Sequence, residues 1–97
     1  MEGTKNDTDK VRLDLLPPSA LLLIGEVLTY GARKYGDNNW RQVEKGQSRY
    51  LAATLRHLMA HMSGHPIDEE SELSHLAHAA TSLLMMIEHI YVPRGKS

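Results

Sequence analysis

Histidines recur at helical spacing in two separate parts of the chain, each time alongside small or aromatic polar residues. In both sets the intervals are four, three and four residues. One set is Tyr50, Thr54, His57 and His61, and the other is Ser71, His75, His78 and Ser82. At about 100° per residue, these intervals place each set along one stripe of a helix. The sequence therefore predicts two helices that each carry a histidine-bearing polar face.

If the two faces meet, four imidazoles come together with one or two carboxylates, because Asp68 and Glu72 flank the second set. Such a cluster can hold a divalent metal or donate hydrogen bonds to a phosphate. Imidazole suits Zn, Ni or Fe, whereas Mg²⁺ prefers carboxylate oxygens. The alternative interpretation is that both faces are solvated or lie in a subunit interface.

A second group of residues combines cations with aromatic rings. Its members are Lys10, Arg12, Arg33, Lys34, Tyr35, Trp40, Arg41, Arg49 and Arg56. Arginine forks pair with phosphate oxygens, and an indole ring can stack on a nucleobase, so this group is a candidate nucleotide cradle. The alternative is that the cations form a solvated surface and that Trp40 is the packing anchor of its loop.

Three helices are expected to position these residues, at about 18–34, 48–63 and 69–91. Pro18 suits the first turn of a helix, and Gly36 follows the first predicted helix as its stop. Ser48 and Asp68 are predicted to cap the second and third helices. Gly64 is predicted to end the second helix, and Pro93 with Gly95 the third.

Apolar residues at helical spacing predict the core. On the second helix they are Leu51, Leu55, Leu58, Met59 and Met62. On the third helix they are Leu73, Leu76, Ala77, Ala80, Leu83, Leu84 and Ile87. The first helix carries leucines on more than one face, which predicts packing on two sides. No segment alternates with a period of two, so the predicted class is all-α, a small bundle of three main helices.

Composition limits the other possibilities. The chain has 97 residues, of which 41% are hydrophobic, with a formal charge of −1 and no cysteine. These values indicate one soluble domain without disulfides or thiolate ligands, and without the basic field that would attract duplex nucleic acid or a membrane. No stretch approaches the roughly 20 apolar residues of a membrane span, and Met1–Asp7 lacks the apolar core of a signal peptide.

The expected organisation has three parts: an extended N-terminal segment (1–16), a helical nucleotide-binding domain (17–92) and a C-terminal tail (93–97). A chain this short buries only about 60–65% of its unfolded surface, so homo-oligomerisation is expected to complete the bundle.

Several short motifs follow one another along residues 10–86. They are Lys10-x-Arg12-x-Asp14-Leu15-Leu16-Pro17, Gly31-Ala32-x-Lys34-Tyr35-Gly36-x-x-Asn39-Trp40, Ser48-Arg49-Tyr50, Leu55-Arg56-His57-Leu58, and Asp68-x-Glu70-Ser71-x-x-Ser74-His75-Leu76-x-His78-Ala79. In this order they resemble the phage family described as the dATP/dGTP diphosphohydrolase N-terminal domain.

The resemblance implies a helical domain that binds a purine nucleotide, close to the all-α pyrophosphohydrolases that cleave between the α and β phosphates with Mg²⁺. It also implies the cytoplasm of an infected bacterial host as the location. The expected cofactor is a divalent metal, Mg²⁺ or Mn²⁺ ahead of Zn²⁺. Those enzymes hold the metal with paired carboxylates, whereas the second predicted helix here has no acidic residue.

Under the hydrolase hypothesis, residue roles follow from the resemblance together with the two groups above. The predicted catalytic residues are Asp68, Glu70 and His75. The predicted metal ligands are His57, His75, His78 and Glu72. The predicted nucleotide-binding residues are Lys10, Arg12, Lys34, Tyr35, Trp40, Arg49 and Arg56. No role is predicted for His61, His65 or His89.

Two alternatives remain open. In one, the same cations clamp phosphate and an aromatic ring stacks on the base, so the domain sequesters a nucleotide immune signal of the host without cleaving it. In the other, the domain is a helical assembly module whose histidines lie in an interface. Hydrolysis is placed ahead of sequestration.

Overall fold

The computed structural model describes residues 9–42 and 45–92, with three α-helices in chain order: α1 (Pro18–Tyr35), α2 (Gly46–Met62) and α3 (His75–Tyr91). Two short 3-10 helices occupy Leu13–Leu15 and Asn39–Gln42. Across the described ranges there is no strand and one isolated bridge, so the predicted all-α class with three main helices is confirmed. No helix in this part of the chain combines the length and apolarity needed to cross a bilayer.

The predicted bounds of α1 agree with the structure to within one residue. The helix begins at Pro18, whose fixed φ suits the first turn. It ends at Tyr35, because Gly36 adopts a φ of +100° that ordinary residues avoid. The Gly36 amide donates a hydrogen bond to the carbonyl of Ala32 at 2.8 Å, which satisfies one of the last helical carbonyls.

The predicted cap of α2 is wrong, although its predicted end is close. The helix begins at Gly46, after Lys45 in the left-handed conformation, and has no side-chain cap. The Ser48 hydroxyl instead donates to the carbonyl of Lys45 at 3.4 Å. The helix starts two residues before Ser48, and a Cβ on its first residue, Gly46, would lie 2.8 Å from the His89 ring. Gly64, with a φ of +90°, follows the last turn as predicted.

The predicted start of α3 is also wrong. The helix begins at His75, not Glu69, and Ser74 is the cap, accepting the Ala77 amide at 3.1 Å. Asp68 does not cap it, because its carboxylate accepts the amide of Ser71 and holds a turn there. Glu72, in the left-handed conformation, lies in that turn. The helix ends at Tyr91, as predicted, and Pro93 and Gly95, which were predicted to end it, lie outside the described residues.

Small residues make up most of the buried positions of the three helices. α3 packs along α2 and, less extensively, against α1. Besides Gly46, the buried residues of the described ranges are Val27, Thr54, Ala77, Ala79, Thr81, Ser82 and Met85. Thr54 donates to the Tyr50 carbonyl at 2.7 Å and Thr81 to the Ala77 carbonyl at 2.8 Å. Because the hydroxyls of Thr54 and Thr81 bond their own helices, these two residues let the helices approach closely at little desolvation cost.

The predicted leucine core is therefore wrong for most of its members. The exposed members are Leu51, Leu55, Met59 and Met62 on α2 and Leu76, Leu83, Leu84 and Ile87 on α3. On α1, Val27 is buried while Leu22 is 71% exposed, so α1 is not packed on two sides as predicted. The helices meet through the small-residue sides next to these stripes, which leaves the large apolar side chains outside.

Candidate nucleotide and metal site

A groove of about 1010 Å³ lies between the three helices and the segment that joins α1 to α2. Five of the seven predicted nucleotide-binding residues line it: Lys34, Tyr35, Trp40, Arg49 and Arg56. Four residues predicted for metal binding or catalysis also line it: His57, Asp68, Glu70 and His78. The groove therefore brings together cations, aromatic rings, imidazoles and carboxylates from distant parts of the sequence.

Three histidines from two helices meet beside this groove, and of these His57 and His78 line it whereas His75 does not. His57 of α2 and His75 of α3 have their Nδ1 atoms 2.8 Å apart. The ring of His57 also stacks on the ring of His78, with centroids 4.6 Å apart and planes inclined by 13°. The two predicted polar faces thus meet at His57, His75 and His78.

Ser71 links Asp68 to this cluster. The Ser71 hydroxyl donates to Asp68 Oδ2 at 2.9 Å and lies 2.7 Å from His78 Nε2. A hydroxyl has one hydrogen, so Ser71 must accept the hydrogen bond from His78 Nε2–H. This assigns the proton of a neutral His78 to Nε2 and leaves Nδ1 as the acceptor nitrogen. Asp68 Oδ2 itself lies 4.0 Å from His78 Nε2.

The donor set suits a divalent metal that accepts nitrogen ligands. His57, Asp68 and His75 each offer one ligand atom, and these atoms lie within 4.8 Å of one another. Two imidazole nitrogens and one carboxylate oxygen are a common donor set for first-row divalent ions. His78 lies against this group without being part of it, and Glu72 is exposed in the preceding turn. Glu69 and Glu72 have Glu-x-x-Glu spacing, but both are exposed and neither joins the donor group.

The electrostatics of the cluster favour the protonation states that a metal needs. Burial, together with the neighbouring His78 and His75, lowers the pKa of His57 from 6.5 to about 4, so this imidazole is neutral at pH 7. Burial also lowers the pKa of His78. Burial would raise the pKa of Asp68, but hydrogen bonds from the Ser71 amide and hydroxyl outweigh it, so this pKa is lowered and Asp68 is ionised. Neutral imidazoles and an ionised carboxylate are the ligand forms.

Glu70 has a different environment from Asp68. Its carboxylate accepts hydrogen bonds from Lys34 and from the Tyr30 hydroxyl, which lies at 2.5 Å. The hydrogen bond from Lys34, followed by that from Tyr30, lowers the pKa of Glu70. The same contact with Glu70 raises the pKa of Lys34. The predicted catalytic carboxylate and the predicted phosphate-binding lysine are thus paired with each other.

His89 holds the segment that carries Trp40. Its Nε2–H donates to the Trp40 carbonyl at 3.1 Å, and its ring stacks on Tyr50 with centroids 5.8 Å apart. A Cβ on Gly46 would lie 2.8 Å from this ring, so a larger residue at this position would have to displace the ring. The Arg41 guanidinium lies over the Trp40 ring, 4.3 Å from its centroid. Trp40 is therefore packed against its neighbours while still lining the groove.

The remaining predicted residues lie elsewhere. Lys10 and Arg12 are exposed and do not line the groove, and Arg12 pairs with Asp14 at 2.8 Å. His61 and His65 are exposed.

Sequence reasoning assigned no role to Tyr30 or His89 and did not connect Ser71 to Asp68. Two spacings carried a signal. Tyr30 and Lys34 are four residues apart on α1, so their side chains lie on the same side of the helix, and both bond Glu70. Ser71 lies seven residues before His78, on the same predicted polar stripe. His89 had no such signal, because its partners lie more than 30 residues away in the chain.

Comparisons with known proteins bear on this site. A family model described as "dATP/dGTP diphosphohydrolase, N-terminal" matches residues 1–96. A protein of Salmonella phage PMBT28 named dATP/dGTP diphosphohydrolase is 35% identical over 86 residues. The match covers 89% of this chain but only 29% of the phage protein, so the chain spans less than a third of that relative's length. No solved structure matches the chain significantly.

Proposed function

Because the chain belongs to the dATP/dGTP diphosphohydrolase N-terminal family, we propose that its groove hydrolyses purine deoxynucleoside triphosphates to a monophosphate and pyrophosphate. The observation that carries the proposal is the donor group of His57, Asp68 and His75, of which His57 and Asp68 line the same groove as Arg49 and Arg56. Water adds to the α-phosphorus and pyrophosphate leaves. The two charges to be stabilised are then those of the phosphate oxygens and of the leaving group.

Arg49 and Arg56 are the proposed phosphate ligands. Both lie on α2 and line the groove, and both side chains are exposed on that side. A guanidinium can donate two parallel hydrogen bonds to a phosphate and keeps its charge at any working pH. Lys34 is already paired with Glu70, so its effect on phosphate binding should be smaller.

His57, Asp68 and His75 would hold the divalent metal. Such an ion supplies Lewis-acid stabilisation of charge on phosphate oxygens. The expected ions are Mn²⁺ and Mg²⁺, and the two imidazoles favour Mn²⁺ over Mg²⁺, which prefers oxygen ligands.

His78 is the proposed proton acceptor. Its Nε2–H is committed to Ser71, so Nδ1 keeps a lone pair for a proton of the attacking water. A lowered pKa keeps this nitrogen unprotonated at pH 7. Ser71 and Asp68 orient the ring, as a carboxylate orients the histidine of other acid–base sites.

The base of the nucleotide is proposed to contact Tyr35 or Trp40. Tyr35 is 61% exposed, so its ring is accessible from the groove. Trp40 is already covered by Arg41, so a base must use its other side or displace the guanidinium.

The test uses the purified chain with dATP, dGTP, dCTP and dTTP, each with Mn²⁺, with Mg²⁺ or with chelator. We expect metal-dependent release of pyrophosphate and monophosphate from the purine substrates, identified by mass. Asp68→Asn should lower the release by at least about 100-fold, whereas His61→Ala, at an exposed histidine of α2, should not change it. Turnover that continues in chelator would contradict the metal assignment, and the absence of turnover with both metals would contradict hydrolysis.

A second candidate function is sequestration of a purine nucleotide without cleavage. The observation that favours it is the pairing of Glu70 with Lys34 and Tyr30, which occupies one of the two predicted catalytic carboxylates. If the chain binds a nucleotide signal of the host defence, heat denaturation should release that nucleotide intact, and Arg56→Gln should weaken its retention. Products of hydrolysis in the released material would exclude this candidate.

A further inference from the structure

We propose that two copies of this chain pair through the side of α2 and α3 that lies opposite the groove. This surface, called the back face below, contains Leu51, Leu55, Met59 and Met62 of α2. From α3 it contains Leu76, Leu83, Ile87 and Ile90. Each of the eight is exposed in the single chain, and none lines the groove.

Helical geometry places the two stripes on one side of the molecule. On α2, the back-face residues lie within about 80° of arc, roughly opposite Ala53 and His57, which line the groove. On α3, they lie roughly opposite Met85 and His78, which also line it. Because α2 and α3 pack along each other, the two stripes form neighbouring parts of one surface.

The size of the back face matches what a dimer needs. Between 44% and 76% of each of the eight residues is exposed. Together they offer on the order of 800 Å², which is the area that each partner contributes to a standard-size interface. A typical monomer has a largest apolar patch of only about 300–600 Å².

The chemistry of the surface favours a second copy as the occupant. The eight residues are all leucine, isoleucine or methionine, so two copies can meet face to face without opposing like charges. A two-fold interface requires such a self-complementary patch, and two helices from each copy form a four-helix arrangement. Residues 1–8 and 93–97 of this chain contain one large apolar residue, Met1, so they are poorly suited to cover the back face.

The first experiment measures mass in solution by analytical ultracentrifugation over a range of concentrations. The wild-type chain is expected at twice its mass of 10.9 kDa. Leu55→Asp and Ile87→Asp should each weaken association by at least about 100-fold, because a carboxylate would be buried unpaired. Leu22→Asp, on an exposed leucine of α1 outside the back face, is the matched control and should leave the dimer intact.

A second experiment covers the case in which an aspartate variant fails to fold. The chain has no cysteine, so Met59→Cys provides a single reactive site on the back face and Leu22→Cys one outside it. A short bismaleimide should link Met59→Cys chains into covalent pairs and leave Leu22→Cys chains single. A monomeric wild type at all concentrations, or crosslinking at Leu22 but not at Met59, would overturn the proposal. Because none of these residues lines the groove, the result is independent of the proposed hydrolysis.

Discussion

On the groove side of α2 and α3, threonine, serine and histidine side chains are buried or half-buried, whereas on the back face leucine, isoleucine and methionine side chains are exposed. Polarity and burial are therefore reversed relative to an ordinary globular domain. The reversal is tolerated on the groove side because the buried hydroxyls of Thr54 and Thr81 bond carbonyls of their own helices. On the back face no residue of the described ranges covers the exposed side chains, and this difference is the basis for the proposed second copy.

The two sides of α2 and α3 differ in side-chain size as well as in polarity. Close approach through Thr54, Ala77 and Thr81 brings His57 within hydrogen-bond distance of His75. Bulky residues at that contact would hold the helices further apart and separate the two imidazoles. The large apolar residues are thereby left for the opposite side, where they do not disturb the groove.

The largest expected effect is on the metal donors of the groove. Asp68→Asn or His75→Ala should lower turnover by at least about 100-fold, because each removes a metal ligand. Measured pyrophosphate release should fall while circular dichroism and the mass in solution stay unchanged. A fall in turnover accompanied by loss of the dimer would show that the groove and the back face are not independent.

A second prediction tests how the groove side is held together. Gly46→Ala should destabilise the domain by about 1–3 kcal/mol, because the new methyl group would overlap the His89 ring. Gly25→Ala is the control, since nothing lies within 4 Å of a Cβ there, and it should stabilise α1 by about 0.5–1 kcal/mol. Chemical denaturation measures both free energies of unfolding. Equal effects of the two substitutions would contradict the role assigned to Gly46.

A third prediction concerns the cations. Arg56→Gln should raise KM for a purine triphosphate about tenfold, through loss of charge-assisted hydrogen bonds to phosphate. Arg12→Gln is the matched control, because Arg12 is paired with Asp14 and does not line the groove. Steady-state kinetics should show no change for the control. A larger effect at Arg12 than at Arg56 would indicate that the phosphate site lies outside the groove.

The smallest expected effect is a pH dependence of stability in the presence of chelator. The pKa of His57 is about 4 in the folded chain, below its ordinary value of 6.5. The unfolded chain therefore takes up a proton first as the pH falls, so stability is full above about 6.5 and declines towards pH 4. The Tm should be lower at pH 5 than at pH 7.5, and His57→Gln should reduce this difference. An unchanged difference in the variant would assign the pH dependence to other groups.

A good part of this molecule is predictable from its residues. The helical class, the three helices and the stops at Gly36 and Gly64 follow from periodicity and from the conformational freedom of glycine. The polar stripes of His57 and of His75 with His78 follow from the 3.6-residue repeat. The short motifs also identify the family, because their order along the chain is more specific than any single motif.

Only the tertiary structure decided which stripe of each helix meets its neighbour. Periodicity describes directions around one helix axis, but the direction that faces another helix depends on how closely the two backbones can approach. Here the small residues allow the closest approach, so the leucines lie outside, contrary to the prediction. The pairing of Glu70 with Lys34 and the packing of Gly46 on His89 join residues more than 30 positions apart, and no local pattern contains such a contact.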